Sequence, residues 1–115
     1  MKNDLHPGLT IRLFTDQKCF GPGVAELLHR VETEHSLRAA AGAMEMAYSK
    51  AWRIVRTAEE ALGFRLLHSS TGGKNGGGAT LTPEARQFLE AYDRFCEELN
   101  AQADSLFRSC FAFYQ

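Results

Sequence analysis

Five polar or cationic side chains in the middle of the chain have the chemistry needed to read double-stranded DNA. They are Tyr48, Ser49, Lys50, Arg53 and Arg56. The guanidinium group of Arg53 can donate two hydrogen bonds to one guanine, which is worth roughly 1–3 kcal/mol of discrimination between bases. Lysine and arginine also neutralise phosphates, which supplies affinity and makes it depend on salt. These residue types predict a DNA contact if one helix presents them on a single face.

An apolar stripe predicts the helix that carries these side chains. The residues of the stripe are Ala51, Val55, Ala58 and Leu62. Their spacing of 4, 3 and 4 residues places them on one side of a helix, and the cationic residues lie mostly off it. We expect the helix to begin at Ala47 or Tyr48 and to end at Leu62, because Gly63 is a typical residue just past a helix C-terminus.

A shorter helix of small residues is expected to brace this longer helix. Ser36 is a suitable N-cap, and residues 37–43 (Leu-Arg-Ala-Ala-Ala-Gly-Ala) are small enough to let two helices approach closely. A tight turn at residues 44–46 would join the two helices. Ser36 and Arg38, at the start of the bracing helix, are then placed to contact DNA phosphates.

A β-hairpin is predicted after these two helices. Residues 64–68 are typical of a short strand, residues 69–78 contain five glycines and predict a loop, and residues 79–81 predict the returning strand. This order, in which a helix, a turn and a second helix are followed by a β wing, is typical of a winged helix-turn-helix domain. In such a domain the second helix of the pair enters the major groove of DNA. Lys74, at the tip of the glycine-rich wing, would meet the DNA backbone or the minor groove.

The segments before and after this motif predict a short β element and two further helices. Residues 9–14 and 19–20 predict an N-terminal strand or hairpin, and Gly-Pro-Gly at residues 21–23 opens a helix that ends near His35. Thr82 and Pro83 open a long C-terminal helix that runs to about Phe111. The fold class is therefore mainly α with small β elements. We divide the chain into a winged helix-turn-helix domain at residues 1–81 and a C-terminal helix at residues 82–115.

The C-terminal helix carries a seam of apolar residues that predicts a dimer interface. The seam residues are Phe88, Tyr92, Phe95, Leu99, Ala103, Leu106 and Cys110. A helix of nearly thirty residues is about 45 Å long, which is more than one small domain can cover. We therefore expect a homodimer through this helix, with the N-terminal hairpin and first helix covering part of it. Packing within the monomer is the alternative for the same seam.

Several segments resemble the DNA-binding domain of ModE-type molybdate regulators. They are Ser-Leu-Arg-Ala-Ala-Ala at residues 36–41, Met-Ala-Tyr-Ser-Lys-Ala-Trp-Arg at 46–53, Ala-Glu-Glu-Ala-Leu-Gly at 58–63 and Thr-Gly-Gly-Lys-Asn-Gly-Gly-Gly-Ala-Thr-Leu-Thr at 71–82. LysR-type regulators are similar at greater distance. The resemblance covers roughly residues 8–90. It implies a winged helix-turn-helix transcriptional regulator that dimerises through the helix after the wing. Because the chain ends at Gln115, we expect no sensor domain, and molybdate binding is not carried over.

Three departures from this family pattern affect stability or affinity. Glu45 stands in the turn where glycine is common, which predicts strain there. Ala47 stands where a capping serine is usual, and the loss of that cap costs about 1 kcal/mol. Ser69 and Ser70 stand where the relatives usually place arginine at the end of the first wing strand, which removes charge that would contact the DNA backbone.

The charge distribution agrees with a DNA-binding middle segment although the whole chain carries a net charge of −1. Residues 36–78 hold six Lys or Arg and three acids, whereas residues 79–115 hold three Lys or Arg and six acids. The chain has three cysteines, none in a CxxC pattern, and it has no signal region and no apolar stretch long enough to span a bilayer. We expect a cytoplasmic protein with no membrane contact.

We expect neither catalysis nor a cofactor. The histidines, at positions 6, 29, 35 and 68, share no metal-ligand spacing with one another or with the cysteines. Trp52, beside the buried stripe, is expected to have a structural or mixed role, and stacking or hydrogen bonding to DNA is the alternative. Two other functions stay open: a protein-interaction module that uses the long helix without DNA, and a sensor that holds an unidentified small-molecule effector at the dimer interface.

Overall fold

The computed structural model describes residues 4–70 and 78–114, most of which lie in four helices. In chain order the elements are β1 (Leu13–Phe14), β2 (Lys18–Phe20), α1 (Pro22–Glu34), α2 (Leu37–Ala43), α3 (Tyr48–Leu62), β3 (Leu67–Ser70), β4 (Gly78–Leu81) and α4 (Pro83–Cys110), with a 3-10 turn at Ala112–Tyr114. This order confirms the mainly α fold with small β elements that the sequence predicts. Among the residues described, no helix is both long and apolar enough to span a bilayer.

Helices α1, α2 and α3 pack around a core in which alanine sets the distance between helices. Ala40 and Ala41 of α2 and Ala51 and Ala58 of α3 are fully buried. Side chains this small let the two helix backbones come close, as the composition of α2 predicts. The Oγ atom of Ser36 accepts a hydrogen bond from the Ala39 N–H at 3.0 Å, which confirms Ser36 as the N-cap of α2.

The turn between α2 and α3 holds Glu45 in the left-handed backbone region. Its φ angle is 54°, a conformation that costs a residue with a Cβ atom roughly 1–2 kcal/mol. The turn is closed by the Met46 N–H, which donates to the Ala41 carbonyl at 2.9 Å. Ala47 is the N-cap of α3 and supplies no side-chain hydrogen bond. Both departures from the family pattern therefore have the structural consequence expected from the sequence.

The wing strands β3 and β4 pair in antiparallel register from Leu67 opposite Leu81 to Ser70 opposite Gly78. The predicted first strand at residues 64–68 is placed too early. Phe64 instead packs on the Phe88 ring of α4 with centroids 5.9 Å apart. The Leu66 N–H donates to the Glu59 carboxylate at 2.8 Å, so this N–H group does not take part in strand pairing.

The N-terminal hairpin is shorter than predicted. The sequence predicts a strand at residues 9–14, but only Leu13 and Phe14 pair with β2, and an irregularity lies between them. The Ile11 carbonyl accepts a hydrogen bond from the Tyr92 hydroxyl at 2.6 Å, so this part of the segment is held by α4 and not by a strand. Phe20 of β2 is 1% exposed and anchors the hairpin in the core.

Helix α4 is buried only in its N-terminal half. Thr82 caps it by accepting from the Ala85 N–H at 3.0 Å, and Ala85, Leu89 and Tyr92 are buried. Beyond Cys96 no residue of α4 is buried, and the described chain measures 62 × 35 × 21 Å. The C-terminal half of α4 therefore projects away from the core.

Two members of the predicted dimer seam belong to the core of the chain itself. Tyr92 is 5% exposed, and its ring centroid lies 5.0 Å from that of Phe20. Phe88 is partly buried and lies 4.8 Å from the same ring. Both side chains are covered by the N-terminal hairpin, so the seam that a second copy could reach begins at Phe95.

Candidate nucleic-acid interface

Helix α3 presents all five predicted DNA-reading side chains to solvent. Tyr48, Ser49, Lys50, Arg53 and Arg56 are exposed. The opposite side of the helix carries Ala51, Val55 and Ala58 into the core. The structure therefore separates a buried stripe from a polar face, as the sequence spacing predicts. Residues 46–58 contain no Asp or Glu, so no carboxylate on this stretch of chain opposes an approaching phosphate.

Two arginine–aromatic stacks lie on this face. The Arg38 guanidinium carbon, from the first turn of α2, is 4.2 Å from the centroid of the Tyr48 ring. The Arg56 guanidinium carbon is 4.8 Å from the centroid of the Trp52 ring. Each stack restrains a long cationic side chain and leaves its hydrogen-bond donors at the surface.

Trp52 lies on the exposed face and not mainly inside the domain. It is 44% exposed, contrary to the expectation from its position beside the apolar stripe. Its spacing of four residues from both Tyr48 and Arg56 is the sequence signal that places all three on one side of the helix. Trp52 was not counted among the predicted contacts because a structural or mixed role was favoured for an isolated tryptophan beside a buried stripe.

A groove lies between α3 and the wing, and we call it the wing groove. It has a volume of about 270 Å³, and its polar and aromatic lining residues are Arg38, Tyr48, Trp52, Arg56, Glu59, Arg65 and Ser69. The Arg65 Nε atom lies 3.5 Å from a Glu59 carboxylate oxygen, so one carboxylate partly offsets the positive charge of this groove. Arg65 was not among the predicted contacts, because its place within the predicted strand at residues 64–68 gave no indication that it would line a groove beside α3.

A second groove lies on the other side of α3, and we call it the hairpin groove. It has a volume of about 600 Å³ and is formed where β2 and the start of α1 meet α3. Its cationic lining residues are Arg12, Lys18, Lys50 and Arg53. Arg12 and Lys18 were not predicted as contacts, because only the folding of the hairpin against α3 brings them beside Lys50 and Arg53.

Two further residues, Ser36 and Lys74, were predicted to contact DNA, and the structure describes only the first of them. Ser36 is partly buried, and its Oγ atom is occupied as an acceptor by the cap of α2. Its hydroxyl hydrogen is the group with which it could meet a phosphate. Lys74 lies outside the described residues. No group of three or more His, Cys, Asp or Glu side chains comes together as a metal site in the part of the chain that is described.

The outer part of the α4 seam is exposed. Phe95 is 48% and Leu106 64% exposed, whereas Leu99 and Ala103 are partly covered and Cys110 is exposed. Further aromatic surface follows, because Phe107 stacks on Phe111 with ring centroids 4.8 Å apart and Phe111 is itself 41% exposed. This apolar surface is continuous along the projecting half of the helix.

Comparison with known proteins agrees with this architecture. Residues 24–86 match the family described as bacterial regulatory helix-turn-helix protein, lysR family. The chain is 36% identical over 86 residues to the transcriptional regulator ModE of Haemophilus influenzae. The aligned region covers 74% of this chain and 33% of that protein. It is 32% identical over 77 residues to the molybdenum transport protein ModE of Herbaspirillum seropedicae, covering 67% of this chain and 27% of that protein.

The chain spans only about a quarter to a third of the length of these curated relatives. The matched residues 24–86 include most of α1, all of α2, α3 and the wing strands, and the start of α4, and they contain the exposed cationic face of α3. Fold, surface chemistry and sequence similarity therefore agree, and the chain belongs to the LysR family of bacterial regulatory helix-turn-helix proteins.

Proposed function

We propose that the protein is a transcriptional regulator that binds specific sequences of double-stranded DNA with α3 in the major groove. The observation that carries the proposal is the exposed face of α3, which combines three cations and two arginine–aromatic stacks without an opposing acid in residues 46–58. The major groove of B-DNA is about 12 Å wide and admits one α-helix. Membership of a family of regulatory helix-turn-helix proteins supports the same function.

Base readout falls to the N-terminal half of α3. Tyr48, Ser49, Lys50 and Arg53 lie in its first two turns, which is the part of such a helix that approaches base edges. Arg38 and Arg56 lie beside the wing groove, where they would contact the phosphate backbone. The wing would lie on the backbone or in the minor groove, and Lys74, which the sequence places between the two wing strands, is the proposed contact there.

We further propose that two copies associate through the projecting half of α4. The proposed contact residues are Phe95, Leu99, Ala103, Leu106 and Cys110. Support comes from the exposed apolar surface that continues from Phe95 past Leu106, on a part of α4 where no residue is buried among those described. Residues 1–81 would then act as the DNA-binding unit and residues 82–115 as the dimer helix. A two-fold dimer would require an operator with two related half-sites.

Selection of bound duplexes from a random library tests the DNA proposal. We expect recovery of a defined motif that is palindromic, with half-sites separated by about 34–36 Å or a multiple of it. A variant carrying both Lys50→Ala and Arg53→Ala should lose the preference for the selected duplex over random DNA while it keeps its melting temperature. A protein that binds no duplex even at low salt would instead favour the protein-interaction function.

A further inference from the structure

The N-terminal hairpin adds positive charge to the side of α3 that faces away from the wing. Arg12 and Lys18 lie around the hairpin groove together with Lys50 and Arg53 of α3. Thr10 and Thr57 bring hydroxyl groups to the same groove, and the backbone of residues 21–23 forms part of its wall. The groove is open to solvent on the same surface that carries the predicted base-reading residues.

The positive charges of this groove have no acidic partners among the residues described. Lys18, Lys50 and Arg53 form no ion pair there, and no Asp or Glu lines the groove. The wing groove differs, since Glu59 lies 3.5 Å from Arg65 within it. Most other cations of α1 and α4 are paired, such as Arg30 with Glu26 at 2.9 Å. A set of four unneutralised cations around one groove is suited to a polyanion.

The position of the hairpin groove fits the geometry of a duplex. A helix lying in the major groove has a phosphate backbone on each of its two sides, because the groove is bounded by both strands. The wing groove flanks α3 on one side and the hairpin groove flanks it on the other. With α3 in a major groove, Arg12 and Lys18 would face the phosphate backbone on the side of α3 opposite the wing groove.

We propose that the N-terminal hairpin is a second backbone clamp, in which Arg12 and Lys18 bind phosphates of the DNA strand on the side of α3 opposite the wing. The inference rests on the proposed function, since it requires α3 to lie in the major groove. Arg12 and Lys18 contribute affinity and register, whereas base preference stays with Tyr48, Ser49, Lys50 and Arg53.

A charge-removing double variant, Arg12→Gln with Lys18→Gln, tests the clamp in the full chain. Its affinity should fall about tenfold or more at 0.1 M salt for both the selected duplex and a scrambled duplex. The slope of log K against log salt should become shallower by about 0.9 for each phosphate that the variant no longer neutralises. The ratio of the two affinities should not change. These outcomes would be measured by fluorescence anisotropy between 50 and 300 mM salt.

The matched control removes the same charge elsewhere. Arg30→Gln with Arg86→Gln lowers the net charge equally at exposed sites on α1 and α4, where each arginine is already paired with a glutamate. We expect this control to keep most of the affinity and nearly the whole salt slope of the wild-type protein. Equal losses in the two double variants would overturn the clamp, because they would reflect net charge alone.

Phosphate ethylation interference on the wild-type protein gives a reading that needs no variant. We expect interference on both strands that border the major-groove contact, and interference on the wing-side strand alone would overturn the proposal. Failure of the wild type to bind any duplex would instead overturn the proposed function itself.

Inorganic phosphate at matched ionic strength should give no saturable thermal shift. A saturable shift that is lost in the hairpin variant would assign the groove to a small oxyanion instead.

Discussion

The Arg38 guanidinium carbon lies 4.2 Å above the Tyr48 ring, so the first turn of α2 is joined to the first residue of α3 by a cation–π contact. This stack holds two predicted DNA contacts in one arrangement across the helix-turn-helix. A contact of this kind is worth roughly 0.5–1 kcal/mol at an exposed site. Its main consequence is therefore the orientation of both side chains before DNA arrives.

Substitutions at Tyr48 should separate the stack from the hydroxyl group. Tyr48→Phe retains the ring under Arg38 and should reduce affinity only through the missing hydroxyl. Tyr48→Leu removes the stack as well, and we expect a further loss of about twofold to fivefold in affinity for the selected duplex, which corresponds to the 0.5–1 kcal/mol of an exposed cation–π contact. The comparison uses anisotropy titrations at one salt concentration. Equal affinities of the two variants would contradict an energetic role for the stack.

Replacement of Trp52 should affect DNA binding more than stability. Complete burial of a tryptophan would make its truncation to alanine cost about 3–5 kcal/mol, but Trp52 is 44% exposed. We expect Trp52→Ala to cost well under that range in urea unfolding, while affinity for DNA falls because Arg56 loses the ring beneath it. Leu66→Ala is the stability control, since Leu66 is fully buried away from the α3 face. A large stability loss in Trp52→Ala would contradict the exposed position.

Substitutions at two positions in the turn between α2 and α3 should stabilise the fold. Glu45→Gly relieves the positive φ angle of 54° and should raise the free energy of unfolding by roughly 0.5–1 kcal/mol, after the larger entropy of glycine in the unfolded chain is subtracted. Ala47→Ser should add about 1 kcal/mol by capping α3. Glu45→Ala is the control for the first change, because it removes the carboxylate and keeps the strained backbone. Stabilisation by Glu45→Ala would assign the effect to charge and not to conformation.

Tyr92 should make the fold sensitive to alkaline pH. Burial, with a further contribution from Cys96, raises the pKa of Tyr92 to about 12 from its usual 10.0. Because the folded pKa lies above the unfolded value, this contribution to stability is complete below pH 10 and is lost as the pH rises through 12. Tyr92→Phe should cost about 1 kcal/mol at neutral pH, because its ring cannot donate a hydrogen bond to Ile11. It should also show a smaller further loss between pH 9 and 12 than the wild type does in chemical unfolding.

Charge placed on the exposed part of α4 should separate the proposed dimer. Leu106→Glu puts a carboxylate on a seam position that is 64% exposed, and we expect monomers by light scattering after size-exclusion chromatography. Ala101→Glu is the matched control, since Ala101 is also exposed and lies on the opposite side of the helix from Leu99 and Ala103. A wild-type protein that is already monomeric, or a Leu106→Glu variant that stays dimeric, would contradict this interface.

Local sequence signals predicted the helices and their ends because the responsible interactions span only a few residues. Ser36 caps α2 through Ala39, three residues away, and Gly63 ends α3 with a φ angle of 86° that suits glycine. The 4, 3, 4 spacing of the α3 stripe likewise decided which side of that helix is buried. The boundaries of β1 and β3 were less accurate, because distant groups on α4 and α3 take the hydrogen bonds of Ile11 and Leu66.

The sequence by itself determined the motif, its helix caps and the polar face of α3, since periodicity and short-range hydrogen bonds carry that information. Only the tertiary structure decided which surface or core includes those residues whose contacts come from other elements of the fold. Tyr92 belongs to the core because Phe20, more than seventy positions earlier, packs on its ring. Arg12 and Lys18 stand beside Lys50 and Arg53 because the hairpin folds against α3. Such contacts depend on how separate elements dock, and residue spacing along one element does not encode them.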